Sequence, residues 1–249
     1  HNRVRRQRQM CIRDSQPGAW HLQVNNSMDI IERLASKPFV HIVATPRSGS
    51  TALYSALQRK KHHTQKNPQV NLSEPFRFHG VLDYSLVPAV HHQITRNPDK
   101  FSVMKNLLTD INSFPKKYQK MLWSIPAYTV GLLRRDTFEQ TVSNQLHDLN
   151  ADLTKPTQLE VAVFQRQLAD LLRDKKAMYM CNKLDEIIYY EDIVFPQHVD
   201  KDKNPPTSQT VSNLPELRQA YQETMLQMDQ LQQVQYRGVT FNIDRSNKA

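Results

Sequence analysis

Cysteine is nearly absent from this chain. Cys11 and Cys181 are its only two, too few for a disulfide framework, and no Cys/His spacing reads as a zinc site. The histidine pairs His62-His63 and His91-His92 fall in polar stretches without metal-ligand spacing, so no metal is expected. No run approaches the ~18 to 20 apolar residues of a membrane span, and no signal-peptide core is visible. The expectation is a soluble protein of the cytoplasm or another reducing intracellular compartment, with no membrane span. Internal repeats at a fixed period are also missing, which excludes solenoids and arrays.

What is present fits one α/β domain. The 249 residues suffice to bury a core without staples. Lys plus Arg exceeds Asp plus Glu, for a net charge of +9, which fits nucleic acid, an acidic surface or a polyanionic small ligand. Part of that excess lies in "RVRRQR" near the start, which has no apolar periodicity. Residues 1–20 are therefore read as a basic arm outside the fold, disordered or foreign to the native chain, and residues 21–249 as the domain.

Along the domain, helices and strands alternate. "NSMDIIERLAS" has helical spacing, with Asn26 or Ser27 as N-cap. "FVHIVA" (39–44), "FSVMK" (101–105), "YTVGLLR" (128–134) and "EIIYY" (186–190) read as buried strands. Helices are expected from Gly49 to about Lys60, from Asp136 to about Leu149, and from a capping box with Thr157 at N-cap and Glu160 at N3 to about Met178. A Gln-rich amphipathic helix begins at "LPELRQAY", with Pro215 in its first turn. "KKHHTQKNPQ" and "VDKDKNPPTSQTVSN" are expected as connectors, and the pairs Lys60-Lys61, Lys116-Lys117 and Lys175-Lys176 as solvated faces. Strands separated by helices mean a mostly parallel sheet flanked by helices.

One stretch carries chemistry. In "HIVATPRSGSTALYSAL" (41–57) a strand runs into a short loop and then a helix. Against the phosphate-binding pattern GxxxxGK[ST], Ala44 takes the first glycine position, Gly49 the second and Thr51 the hydroxyl, while Ser50 stands where the lysine belongs. The positive charge lies inside the loop, at Arg47. A strand–loop–helix turn still aims backbone N–H groups at an anion. What is weakened is the part that handles a magnesium-bound triphosphate, which disfavours an ATPase or kinase and favours a less charged phosphosulfate.

This stretch resembles the sulfotransferases that use 3′-phosphoadenosine-5′-phosphosulfate (PAPS). Their 5′-phosphosulfate loop reads T-x-P-[KR]-[ST]-G-[ST]-[ST], and Thr45, Pro46, Arg47, Ser48, Gly49, Ser50 and Thr51 match it, except that Pro46 follows Thr45 directly. That variant is similar to the bacterial and viral carbohydrate-type branch. A second motif of the family, a strand ending in Arg with a Ser eight residues on, is matched by Arg135 and Ser143 in "LLRRDTFEQTVSNQL". "IIYYEDIV" is similar to a third. The resemblance implies a P-loop nucleotide-hydrolase-like architecture, PAPS as co-substrate with 3′,5′-ADP as product, and no metal. It implies a 3′-phosphate held by Arg135 and Ser143, with Arg237 as a further contact, and Tyr190 beside the adenine. Glu191 and Asp192 are expected to fix the end of their strand.

Sulfuryl transfer by such an enzyme needs three things. A cation must meet the charge growing on the leaving group, and Arg47 is assigned to it. A general base must take the acceptor proton. Glu74 in "NLSEPFRF" corresponds to the acidic base of the carbohydrate branch, with His79 as its rival. A second cation must hold the sulfonate oxygens, and the resemblance places Lys105 there. The expected partner is a hydroxyl-bearing acceptor, a carbohydrate by resemblance to that branch; the sequence sets no oligomeric state. The rival readings are a P-loop kinase and a basic nucleic-acid binder. No nucleic acid is expected, because the aromatics fall inside predicted strands and helices instead of interleaving with Lys and Arg.

Overall fold

The computed structural model describes residues 29–64, 70–78, 81–152, 155–195, 210–230, 233–236 and 239–242. The N-terminal arm, Asn26, Ser27, His79 and Arg237 lie outside them. The chain folds as an α/β domain around a five-stranded sheet. Its strands are β1 (Val40–Ala44), β2 (Val70–Ser73), β5 (Phe101–Leu107), β6 (Tyr128–Leu133) and β7 (Glu186–Tyr189), ordered β2-β5-β1-β6-β7. Every pairing in this sheet is parallel, so the strands' C-terminal ends share one edge. Two antiparallel ribbons stand apart, β3 (Arg77–Phe78) with β4 (Val81–Leu82) and β8 (Gln233–Tyr236) with β9 (Val239–Asn242).

The central strands are buried almost throughout because both faces of the sheet are covered, with His41, Ser102, Lys105, Asn106 and Thr129 as buried polar exceptions. Val40, Ile42 and Ala44 point to a cluster with Leu53 and Leu57 of α2 (Ser50–Thr64) and with Ile31 and Leu34 of α1 (Ile30–Ala35). Val43 and Met104 point the other way, toward Ile94 of α3 (Val87–Arg96), Ile111 of α4 (Leu108–Ser113), Leu122 of α5 (Lys116–Trp123) and Met178. A satellite cluster joins α6 (Thr137–Asp148), α7 (Val161–Met180) and α8 (Leu214–Gln230) through Phe138, Phe164, Leu168 and Leu217.

Several local expectations give way to tertiary contacts. Asp29 caps α1, its Oδ1 accepting from the Ile31 N–H at 3.1 Å. The helix after the loop runs on through Thr64 into the expected connector. Thr157 caps nothing. Its N–H donates to the Thr210 carbonyl at 2.7 Å and its own carbonyl accepts from Ser212, so α7 starts at Val161 with Glu160 as N-cap. Two lysines read as solvated are not. Lys61 is 1% exposed and donates to the Pro38 carbonyl at 3.0 Å, and Lys175 donates to the Arg134 carbonyl and, at 2.6 Å, to Thr137 Oγ1. Burial pushes each of these amines down to about 8.

Candidate active site at the C-terminal edge of the sheet

In open α/β sheets, ligands bind beyond the strand ends where neighbouring connections leave in opposite directions. Here β1 connects to β2 at one edge and its neighbour β6 to β7 at the other, so the switch lies between β1 and β6. The loop 45–49 and the segment 134–136 flank that point.

The loop is built on unusual backbone. Arg47 has φ 57° and Gly49 φ 84°, left-handed turns that bring successive N–H groups toward one point. Gly49 is required twice over: its φ favours glycine, and a Cβ there would lie 2.1 Å from the Tyr190 ring. Thr45 and Ser48 are fully buried, and the Ser48 N–H closes the turn onto the Thr45 carbonyl at 3.3 Å. Ser48 Oγ is buried without a hydrogen-bond partner among the described residues. From below, the amide of Gln140 on α6 donates to Thr45 Oγ1 at 2.9 Å and to the Pro46 carbonyl at 2.5 Å.

The two separate sequence motifs meet at this loop. Arg47 Nε donates to Ser143 Oγ at 3.3 Å, across 96 residues of chain. Partial burial and then the like charge of Arg134 lower the Arg47 guanidinium from its ordinary value, with Asp148 pulling the other way. Arg135 is turned elsewhere. Its guanidinium grips Asp192 (2.5 and 2.8 Å) over the Tyr189 ring, and its N–H donates to the Glu191 carboxylate at 3.0 Å. Arg134, one residue earlier, which the motif spacing did not single out, pairs with Glu191 at 3.8 Å and lies 6.0 Å from the centre of the Tyr190 ring. Tyr190 lies in a short turn (Tyr190–Asp192), its ring against Gly49 and 5.3 Å from that of Phe195.

The remaining candidates gather at the first turn of α2. Lys105 shares its pleat face with Val103 and Leu107, toward α2, and its ammonium meets Thr51 Oγ1 at 3.0 Å and Glu74 Oε1 at 2.8 Å. Lys105 is 3% exposed, while the Glu74 side chain is 28% exposed and Thr51 is exposed, so the ammonium is buried and its partners reach solvent. Glu74, just past β2, is held again by its N–H, which donates to the Lys105 carbonyl at 2.8 Å. Its φ is 50°, a conformation costing ~1 to 2 kcal/mol in a non-glycine residue. Its turn is locked by Arg77, which clamps Asp110 of α4 with two bonds of 2.7 Å. Sequence reasoning missed Arg77, Asp110 and Gln140, whose partners are 33 to 95 residues distant. Of the three non-glycine residues with positive φ among the described residues, two are Arg47 and Glu74. Strained backbone persists where surrounding structure enforces it, and it clusters at functional sites.

No family model, curated protein or solved structure matches the chain. Among the described residues, no helix is long and apolar enough to cross a membrane.

Proposed function

We propose that the chain is a PAPS-dependent sulfotransferase that moves a sulfuryl group onto a hydroxyl acceptor, a carbohydrate in the first instance. The observation that carries this reading is the chain of contacts Thr51–Lys105–Glu74, which sets a buried cation and a carboxylate against the first turn after an anion-binding loop. The loop fits a phosphosulfate in its donor set. It offers the Arg47 guanidinium and the buried hydroxyl of Ser48. Thr51, the hydroxyl that in a kinase would serve a magnesium ion, is engaged by an ammonium instead.

In this reading each residue has one task. Arg47 and the loop N–H groups hold the bridging oxygen of the leaving 3′,5′-ADP as its S–O bond breaks. Lys105 balances charge on the sulfonate oxygens. Glu74 is bound at Oε1 by Lys105, so Oε2 takes the proton from the acceptor hydroxyl as the new S–O bond forms. Ser143 steadies Arg47, and Arg135 exchanges Asp192 for the 3′-phosphate.

Thermal stability measured with 3′,5′-ADP, PAPS, 5′-AMP and Mg-ATP tests the reading. A ligand at ~100 times its dissociation constant stabilises by ~2.7 kcal/mol. Stabilisation by 3′,5′-ADP and PAPS but not 5′-AMP is the expected result. Stabilisation by Mg-ATP alone would transfer the loop to a kinase and sink the proposal.

A further inference from the structure

Beside the anion loop, a cavity of about 320 Å³ opens between α6, α7 and the start of α4. Pro46 of the loop and Thr109 form part of its wall. Thr109 directly precedes Asp110, the residue that clamps the turn of Glu74. Arg47, Lys105 and Glu74 do not line the cavity, and its direct link to the loop is Pro46.

Its chemistry opposes that of the whole protein. The chain carries +9, yet the cavity is lined by Asp148, Asp170 and Asp174 against one guanidinium, Arg173, which already pairs with Asp170 at 2.8 Å. The carboxyl groups do not gather as a metal site among the described residues. Three amide side chains also line it, Gln140, fully buried, Asn144 and Gln167. Gln140 and Gln167 each hold a buried oxygen with no hydrogen-bond partner among the described residues. Their nitrogens are spent on the loop and, at 2.8 Å, on Asp148. Those two oxygens are acceptors left without donors, and such buried acceptors are costly.

We propose that this cavity is the acceptor pocket and that its acceptor is a cationic, hydroxyl-rich molecule of about one ring, of the amino-sugar class. This rests on the sulfotransferase reading for what happens to the acceptor, though not for its binding. Hydroxyls donate to the amide oxygens, and a protonated amine pairs with the carboxylates. The volume lies at the lower end of the ~300 to 1,000 Å³ typical of small-molecule sites, which suits a single ring better than an oligosaccharide. An acidic polysaccharide, which surface lysines would attract, is repelled here.

Calorimetric titration of the full chain with glucosamine, glucose and glucuronate, with and without 3′,5′-ADP, tests this. Glucosamine is expected to bind about tenfold or more tighter than glucose, the worth of one charge-assisted contact, and glucuronate not at all. Asp170 is 63% exposed in its side chain, so Asp170→Asn leaves the fold intact while releasing Arg173. It should weaken glucosamine about tenfold, improve glucuronate and leave 3′,5′-ADP affinity unchanged. If 3′,5′-ADP binds but the three sugars bind equally, or glucuronate best, the pocket assignment is overturned and the cofactor reading stands. If glucosamine is preferred but 3′,5′-ADP does not bind, the pocket stands and the sulfotransferase reading goes.

Discussion

Glu74→Gln separates chemistry from architecture. The substitution keeps the shape of the side chain and an oxygen that Lys105 Nζ, now 2.8 Å from Oε1, can still reach. It removes the charge. At an effective dielectric constant of about 20 the attraction lost is about 6 kcal/mol for that 2.8 Å separation, but this gross term is opposed by the cost of desolvating both ions. Removing one partner of a buried pair costs ~3 to 5 kcal/mol. The Glu74 side chain is 28% exposed and Lys105 keeps Thr51, so with the retained acceptor the expected loss is about 1 to 2 kcal/mol. For a domain of this size that lowers the melting temperature by about 2 to 8 °C. Binding of 3′,5′-ADP should persist, because Glu74 does not touch the loop concavity. Sulfuryl transfer should fall by ~10² to 10⁴, the usual contribution of a general base. Melting curves, 3′,5′-ADP titration and a single-turnover transfer assay on one preparation decide it. Turnover within about tenfold of the parent refutes the base assignment, while loss of 3′,5′-ADP binding shows that the Glu74–Lys105 pair is scaffolding for the loop.

Arg47→Ala should reduce turnover by ~10² to 10³, as for loss of one preorganised donor, measured under saturating co-substrate. Asp192→Asn frees Arg135 from a solvent-exposed pair worth ~0 to 1 kcal/mol, so 3′,5′-ADP affinity should rise up to about fivefold by titration; weaker binding would show that the pair holds the site open. Gly49→Ala sets a methyl group 2.1 Å from the Tyr190 ring at φ 84° and should cost about 2 to 5 kcal/mol. Adding Tyr190→Ala should recover the steric part and leave the backbone part, as read from melting temperatures. His41 is buried against Asn106 and desolvation drops its pKa from 6.5 to about 3. Between those values the unfolded chain binds a proton that the folded chain refuses, so stability declines as pH falls, by up to about 1.4 kcal/mol per pH unit. His41→Gln should remove that increment from denaturation curves at pH 6 and pH 4.5, and an unchanged slope would contradict a buried neutral imidazole.

The elements that sequence reasoning located best are those whose signal is local. β1, β5 and β6 are buried on both faces and therefore read as mostly apolar runs, and Asp136 caps α6 through its own Oδ1, 2.9 Å from the Glu139 N–H. The failures come where a distant partner outbids a local preference. Thr157 has a capping-box partner in sequence, but the segment 210–212 takes its backbone and Asn213 brackets Leu159 at 2.9 and 3.0 Å. β2, "VNLS", sits at the sheet edge and carries no apolar run to announce it. Lys61 and Lys175 look like surface charge because the carbonyls they satisfy belong to other elements. Within the site, the parity of β5 was enough to turn Lys105 toward α2, and a glycine flanked by hydroxyls marked the loop. The pairing of Arg134 with Glu191 and of Arg135 with Asp192 joins segments 57 residues apart, which motif spacing alone does not encode.

Gln140 ties the two proposed ligand sites to one amide. Its nitrogen holds Thr45 and Pro46, and the same side chain lines the neighbouring cavity. A guest that steadies that amide steadies the loop, so occupancy of either site lowers the ordering entropy the other must still lose. The coupling has to be reciprocal: whatever factor the sugar adds to 3′,5′-ADP affinity, 3′,5′-ADP adds to the sugar's. Cutting the link with Gln140→Leu would then turn a cooperative pair of sites into two independent ones, with each ligand's affinity blind to the other.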